Sequence, residues 1–219
     1  MPSDPLILGF DTSAAHCAAV LLCGDTVLAD AHEEMTKGQA ERLIPMLEQV
    51  LTQAGAGWGD LAALGVGIGP GNFTGVRISV SAARGLALGL GIPAVGVSAL
   101  EAQVFGLPGV TVSSLDARRD ALYVQVFEMG APHFPVLCDM ASLPPIPARA
   151  APSCIGHMNQ EIAARCAGHA KAAALPMAEA IARIAGQRMH NDTLKRPAPL
   201  YLRGADAAPP RAAPPVILS

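Results

Sequence analysis

The sequence predicts an α/β protein built from two related lobes, and three observations carry that prediction. Strand-length apolar runs alternate with segments whose apolar residues recur at helical spacing. A strand that delivers an aspartate into a turn, with a second strand leading away, occurs at Asp11 and again 105 residues later at Asp116. The composition, 219 residues with 51% apolar, 15% charged and 4% aromatic side chains, 22 Gly and 19 Pro, suits tight packing of small side chains. It suffices for one sizeable globular unit or two small lobes, and it excludes a coiled coil and a disordered tail protein.

Leu6-Ile7-Leu8-Gly9-Phe10 reads as a buried strand ending at Asp11-Thr12-Ser13. Cys17 to Leu22 is a second strand, and Val27-Leu28-Ala29 a third after the Gly24-Asp25 hairpin, so a three-stranded meander opens the chain. From Ala40 the positions Leu43, Leu47, Val50 and Ala54, flanked by Ile44 and Leu51, predict a helix that Pro45 either starts or kinks and that Gly55-Ala56-Gly57 stops. Leu61 to Ile68 is a strand leading into the loop Gly69 to Gly75. A helix then runs from about Thr74 to Gly89, and Ile92 to Val97 is a further strand.

The second half opens in the same way, with a strand over Val110 to Leu115, the turn Asp116-Ala117-Arg118, and Leu122, Val124 and Val126 alternating with Tyr123, Gln125 and Phe127. A strand near Phe134 to Cys138, a proline-rich link from Leu143 to Pro152, helices near Asn159 to Ala167 and Met177 to Met189, and a Pro/Ala-rich tail complete the chain. The expected division is an N-terminal lobe over 1–98, joined by the 197–219 tail, and a smaller C-terminal lobe over 99–196. Two halves of this kind are the pattern of the actin-like ATPase (ribonuclease H-like) fold, in which hairpin turns address phosphates in a cleft, an analogy of fold rather than of chemistry.

The Gly69 to Gly75 loop suits close approach of a phosphate, because Gly69, Gly71 and Gly75 free the backbone and Thr74 begins a helix with exposed amides. An ordinary strand-to-helix turn capped by Thr74 is the alternative. No Gly-Lys-Ser/Thr follows and no lysine lies in the segment, so it is not a Walker loop. Asp11, Thr12 and Ser13 could hold a magnesium-bound phosphate through hard oxygen ligands, or could simply form a turn. Asp116 has less support, since Arg118, Arg119 and Asp120 beside it suit a solvated charge cluster.

His16, His32, His133, His157, His169 and His190 include no pair four apart, there is no G-x-S-x-G, and Cys17 sits in an apolar strand. Five cysteines without CxxC spacing argue against a disulfide framework and a zinc site. No basic leader or membrane-length apolar run is evident, so a cytoplasmic protein is expected; the net charge of −3 argues against holding nucleic acid alone. Ser81, Gly85 and Gly89 make a smooth stripe every four residues, beside Ala82. Glycine in a helix costs roughly 1 kcal/mol against alanine, so the stripe calls for a close neighbour, either the protein's own sheet or a partner's helix.

Ile7 to Ser13, Gly69-Pro70-Gly71-Asn72-Phe73-Thr74-Gly75-Val76-Arg77, Gly91 to Ser98, Leu115 to Arg118 and Pro199 to Arg203 together resemble the TsaB (YeaZ) family, in order and spacing, over nearly the whole chain. The resemblance implies an actin-like, noncatalytic subunit of the bacterial cytoplasmic machinery that adds threonylcarbamoyl to adenosine 37 of tRNA. It implies that the chain scaffolds its catalytic paralogue TsaD, is joined by the ATPase TsaE, pairs with itself when alone, and meets tRNA only through the complex. No cofactor of its own is required on this reading, ATP or ADP with Mg belonging at the complex interface. The two N-terminal helices, with Leu43, Leu47, Arg77, Ser81, Gly85 and Gly89, resemble the pair that forms a four-helix contact with the partner or a second copy. In the catalytic paralogue a His-x-x-x-His pair binds metal where this chain has Ala99 and Gln103. The alternative is a self-sufficient actin-like ATP-binding enzyme or, following the family's glycoprotease-like (peptidase M22) label, a protease.

Overall fold

The computed structural model describes residues 4–128, 133–147 and 151–203. Its first half is a meander of β1 (Leu6–Asp11), β2 (His16–Cys23) and β3 (Thr26–Glu34), then α1 (Gln39–Gln53), β4 (Leu61–Gly67), α2 (Phe73–Leu90) and β5 (Ala94–Val97). These strands form one sheet in the order β3-β2-β1-β4-β5, antiparallel through the meander and parallel from β1 to β4 and β5. The parallel pairs need crossovers, which α1 and α2 supply.

A second sheet follows, with α3 (Ala99–Val104), β6 (Thr111–Asp116), β7 (Leu122–Phe127), β8 (Val136–Cys138), β9 (Ser153–Gly156), α4 (Asn159–Cys166), β10 (His169–Lys171) and α5 (Met177–Arg188). Its order is β10-β9-β6-β7-β8. Read from the other edge, β8-β7-β6-β9-β10 repeats the first sheet position for position, with the same mixture of antiparallel and parallel pairs. The duplication expected from two aspartate turns thus extends to whole sheets. The short β9 and β10 and the helix α3 are additions that periodicity did not reveal.

Side chains alternate across the first sheet as a period of two requires. Leu6, Leu8, Phe10, Cys17, Ala19 and Leu21 pack with Leu43, Met46, Leu47 and Val50 of α1 on one face. Ile7, Ala18, Val20 and Leu22 pack with Ala178, Ile181, Ala182 and Ala185 of α5 on the other. The expected boundary at residue 196 therefore misassigns α5, which lies against β1, β2 and β4 rather than with the second lobe. Small residues on both sides explain the fit, since a Cβ added at Gly9 would meet Ala178 O and Ala182 Cβ at 2.6 Å, and one at Gly65 would meet Ala185 Cβ at 2.9 Å. Beyond α5, Leu200 N–H donates to Ile68 O at 2.8 Å; residues 204–219 of the tail lie outside the described residues.

Pro45 neither starts nor interrupts α1. It sits inside the helix, on the exposed side. The second lobe has its own core, in which Val112, Leu122, Val124 and Cys154 pack with Ile162 and Ala163 of α4.

Candidate functional site

β1 and β4 end side by side, and this brings the Asp11 turn onto the glycine loop. Asp11 is fully buried. Its Oδ2 accepts from Ser13 N–H at 3.1 Å and Ser13 Oγ at 2.9 Å, and lies 2.8 Å from His16 Nε2. Its Oδ1 is buried with no hydrogen-bond partner. Thr12 Oγ1 donates to Gly75 O at 2.7 Å, while Asn72 N–H donates to Ser13 O at 2.6 Å.

Thr12 is thus tied to Gly75 directly and Ser13 to the loop through Asn72, while Gly69 O accepts from Ala99 N–H at 2.8 Å. The close approach that the glycines permit is to the protein's own hairpin. A Cβ at Gly71 would stand 2.2 Å from Ser13 O, and one at Gly75 would stand 1.9 Å from Thr12 O. The cap of α2 is Asn72 rather than Thr74, its Oδ1 accepting from Thr74 N–H at 3.0 Å and Gly75 N–H at 3.2 Å. The Thr74 and Gly75 amides are thus engaged by the cap, and the Thr12 and Ser13 hydroxyls each donate their proton within the protein.

The hairpin register brings two histidines together that sequence spacing kept apart. His16 pairs with Glu34 across β2 and β3, and His32 lies diagonally, with ring centroids 5.1 Å apart and His32 Nε2 2.8 Å from Glu34 Oε1. The hydrogen bond to Asp11 raises the pKa of His16 against the opposing effect of burial. Cys17, buried in β2, has its thiol pushed up to about 11 by burial, which makes it packing rather than a nucleophile. Asp116, the counterpart of Asp11, is exposed, and its Oδ1 accepts from the Arg118 N–H at 2.7 Å.

Ala99 is buried, and Gln103 Oε1 accepts from Ser113 Oγ at 2.8 Å, tying α3 to β6. Among the described residues no three His, Cys, Asp or Glu side chains gather to hold a metal ion. None of the helices described is long and apolar enough to cross a membrane.

The outer face of α2 is different. Ser81, Gly85 and Gly89 are exposed, and a Cβ at Gly85 or Gly89 would meet nothing within 4 Å, so the stripe does not serve packing among the described residues. Leu88 beside it is 82% exposed. Leu43 and Leu47, expected on the same surface, are instead buried against the sheet; α1 presents Ile44 and Pro45 outward. A one-residue turn of the helix separates the two sets, and the apolar spacing alone did not say which set faced in. Arg77, at the other end of the stripe, lies 3.7 Å over the Phe73 ring and donates from Nε to Tyr201 Oη at 2.8 Å, a contact that sequence reading missed.

The TsaD family, tRNA N6-adenosine threonylcarbamoyltransferase, matches residues 31–134. The tRNA threonylcarbamoyladenosine biosynthesis protein TsaB of Escherichia coli is 39% identical over 123 residues, 53% of this chain and 52% of that protein. TsaB of Bacillus subtilis is 34% identical over 125 residues, 56% of this chain and 55% of that one. The chain spans about half the length of the curated relatives it matches. A solved structure from Pseudomonas aeruginosa, described as similar to peptidase YeaZ, superposes with a TM-score of 0.76 at 26% identity, covering 91% of this chain and 100% of that one. YeaZ of the same organism gives 0.71 at 25%, covering 90% and 100%.

Two sheets of matching order, each with an aspartate at the first hairpin, define a two-lobed protein of the actin-like fold. In sequence the chain is similar to TsaB proteins over about half of its length, and in structure to YeaZ over about nine tenths of it.

Proposed function

We propose that this chain is a noncatalytic scaffold of the machinery that adds threonylcarbamoyl to adenosine 37 of tRNA, acting in the cytoplasm. Its work is to bind and support a TsaD-type catalytic paralogue, with a TsaE-type ATPase joining the pair and tRNA meeting the chain only within that complex. The observation that carries this reading is the open face of α2, where a Cβ at Gly85 or Gly89 would meet nothing among the described residues and Leu88 is left in solvent. Glycines that weaken a helix without a close neighbour among the described residues are accounted for by a helix from outside the monomer. The same face allows two copies to pair when the partner is missing.

The chain supplies no catalytic group of its own on this reading. Ala99 and Gln103 offer no imidazole, and Gln103 is engaged with Ser113. It requires no cofactor, and any ATP or ADP with Mg belongs at the interface with the partner, since the Asp11 turn and the glycine loop are bonded to each other.

Reconstitution tests the proposal. Purified chain, with metal, ATP and threonylcarbamoyl donor, leaves tRNA unmodified and cleaves no protein; adding a TsaD homologue and a TsaE homologue yields modified tRNA at a rate that falls when this chain is omitted. Turnover by the isolated chain contradicts it.

A further inference from the structure

A groove of about 640 Å³ runs beside the second half of α2, between it and residues 189–197, at the open edge of β5. Its rim carries Arg84, Lys195 and Arg196, all exposed, against the single acid Asp192. Among the described residues none of these three cations makes an ion pair. Arg42, Arg183 and Arg188 do, with Glu33, with Asp25 and Glu179, and with Glu101 respectively. In a chain of net charge −3, three cations against one acid around one groove are a local excess. Its lining is apolar at the half-buried Ile92 and Met189, with the exposed Leu88 beside them.

Charge and floor together select the occupant. Cations alone would suit any polyanion, but a phosphodiester backbone offers nothing to an exposed leucine beside a half-buried isoleucine and methionine. A peptide segment with carboxylates flanking one large apolar side chain satisfies both, with the carboxylates on the rim and the side chain against Leu88. Gly85 lines the groove as well as the stripe, so the groove is continuous with the face assigned to the partner. We propose that it is the socket for an acidic segment of the paralogous partner subunit, an inference that rests on the reading of α2 as the partner face.

The test titrates the full chain with a purified TsaD homologue by calorimetry at low and high salt. Wild-type affinity falls as salt rises. A variant carrying Lys195→Glu and Arg196→Glu keeps its thermal unfolding, because both side chains are exposed, yet binds at least about tenfold more weakly and loses that salt dependence. Leu88→Ser also weakens binding about tenfold, with salt dependence retained. If both variants bind like wild type while Gly85→Trp abolishes binding, the socket is overturned and the α2 face stands. If Gly85→Trp also binds normally, the reading beneath it falls too. A double variant that loses affinity for tRNA in the assembled complex, with partner affinity intact, assigns the groove to nucleic acid and overturns the proposal.

Discussion

Asp11 and His16 meet across the first hairpin turn, Oδ2 to Nε2 at 2.8 Å, the carboxylate wholly buried and the imidazole side chain 13% exposed. One buried oxygen of the carboxylate is thereby paired while the other is not. The turn that fold analogy assigns to phosphate is occupied by the protein's own charges.

This pair makes stability depend on pH. The folded pKa of His16 is raised above its ordinary value, so the charged pair contributes fully below the unfolded value of about 6.5 and is lost as pH rises through the folded pKa. The stability difference between wild type and His16→Gln, from urea unfolding, is therefore expected to be about 2 kcal/mol at acidic pH and to shrink toward alkaline pH. A difference that grows with pH contradicts the pairing.

Two kinds of glycine are separated by substitution with alanine. Gly75→Ala drives a methyl into Thr12 O and is expected to destabilise the chain by several kcal/mol or to prevent folding. Gly85→Ala meets open space inside a helix and is expected to stabilise the isolated chain by roughly 0.5–1 kcal/mol. Thermal unfolding of the two variants reads both effects. A destabilising Gly85→Ala would mean that the stripe packs within the monomer after all.

The meander, the crossover helices and the duplicated aspartate turn were legible because each carries its own period and its own punctuation. What escaped was decided between elements. α5 shows a helical period, yet its alanines do not name the sheet they will cover; the clue lay in Gly9 and Gly65, in central strands, where only a closely packed helix explains the missing side chains. β10 is three exposed residues and has no pattern to read. Within the site, the residues brought together by Asp11, Thr12, Ser13 and the glycine loop were foreseen, but glycine admits a ligand or a neighbouring backbone equally well, and the sequence does not distinguish them. Leu43 and Leu47 were misplaced because the spacing that marks a helix's apolar face does not say whether its own sheet or a partner covers it.

The contact between Arg77 and Tyr201 spans 124 positions of sequence and holds the segment around Leu200 beside α2. Tyr201→Ala removes the Oη acceptor and the ring stacked 5.2 Å from Phe73. We expect global stability to fall by about 1 kcal/mol, with hydrogen exchange at the Leu200 amide accelerating far more than at amides of β1. Unchanged protection at Leu200 would show that the segment is held by other means.

The central claim is that the open face of α2 is a partner surface, and the most direct measurement is the affinity of Gly85→Trp and Ser81→Arg for a purified TsaD homologue, alongside sedimentation of each variant alone. A specific interface buries about 1,600 Å², and a large side chain at its centre forfeits several kcal/mol. Both variants are expected to keep the wild-type unfolding transition, to sediment as monomers and to show no measurable binding. Wild-type affinity in either variant, or loss of the unfolding transition in both, would contradict the account.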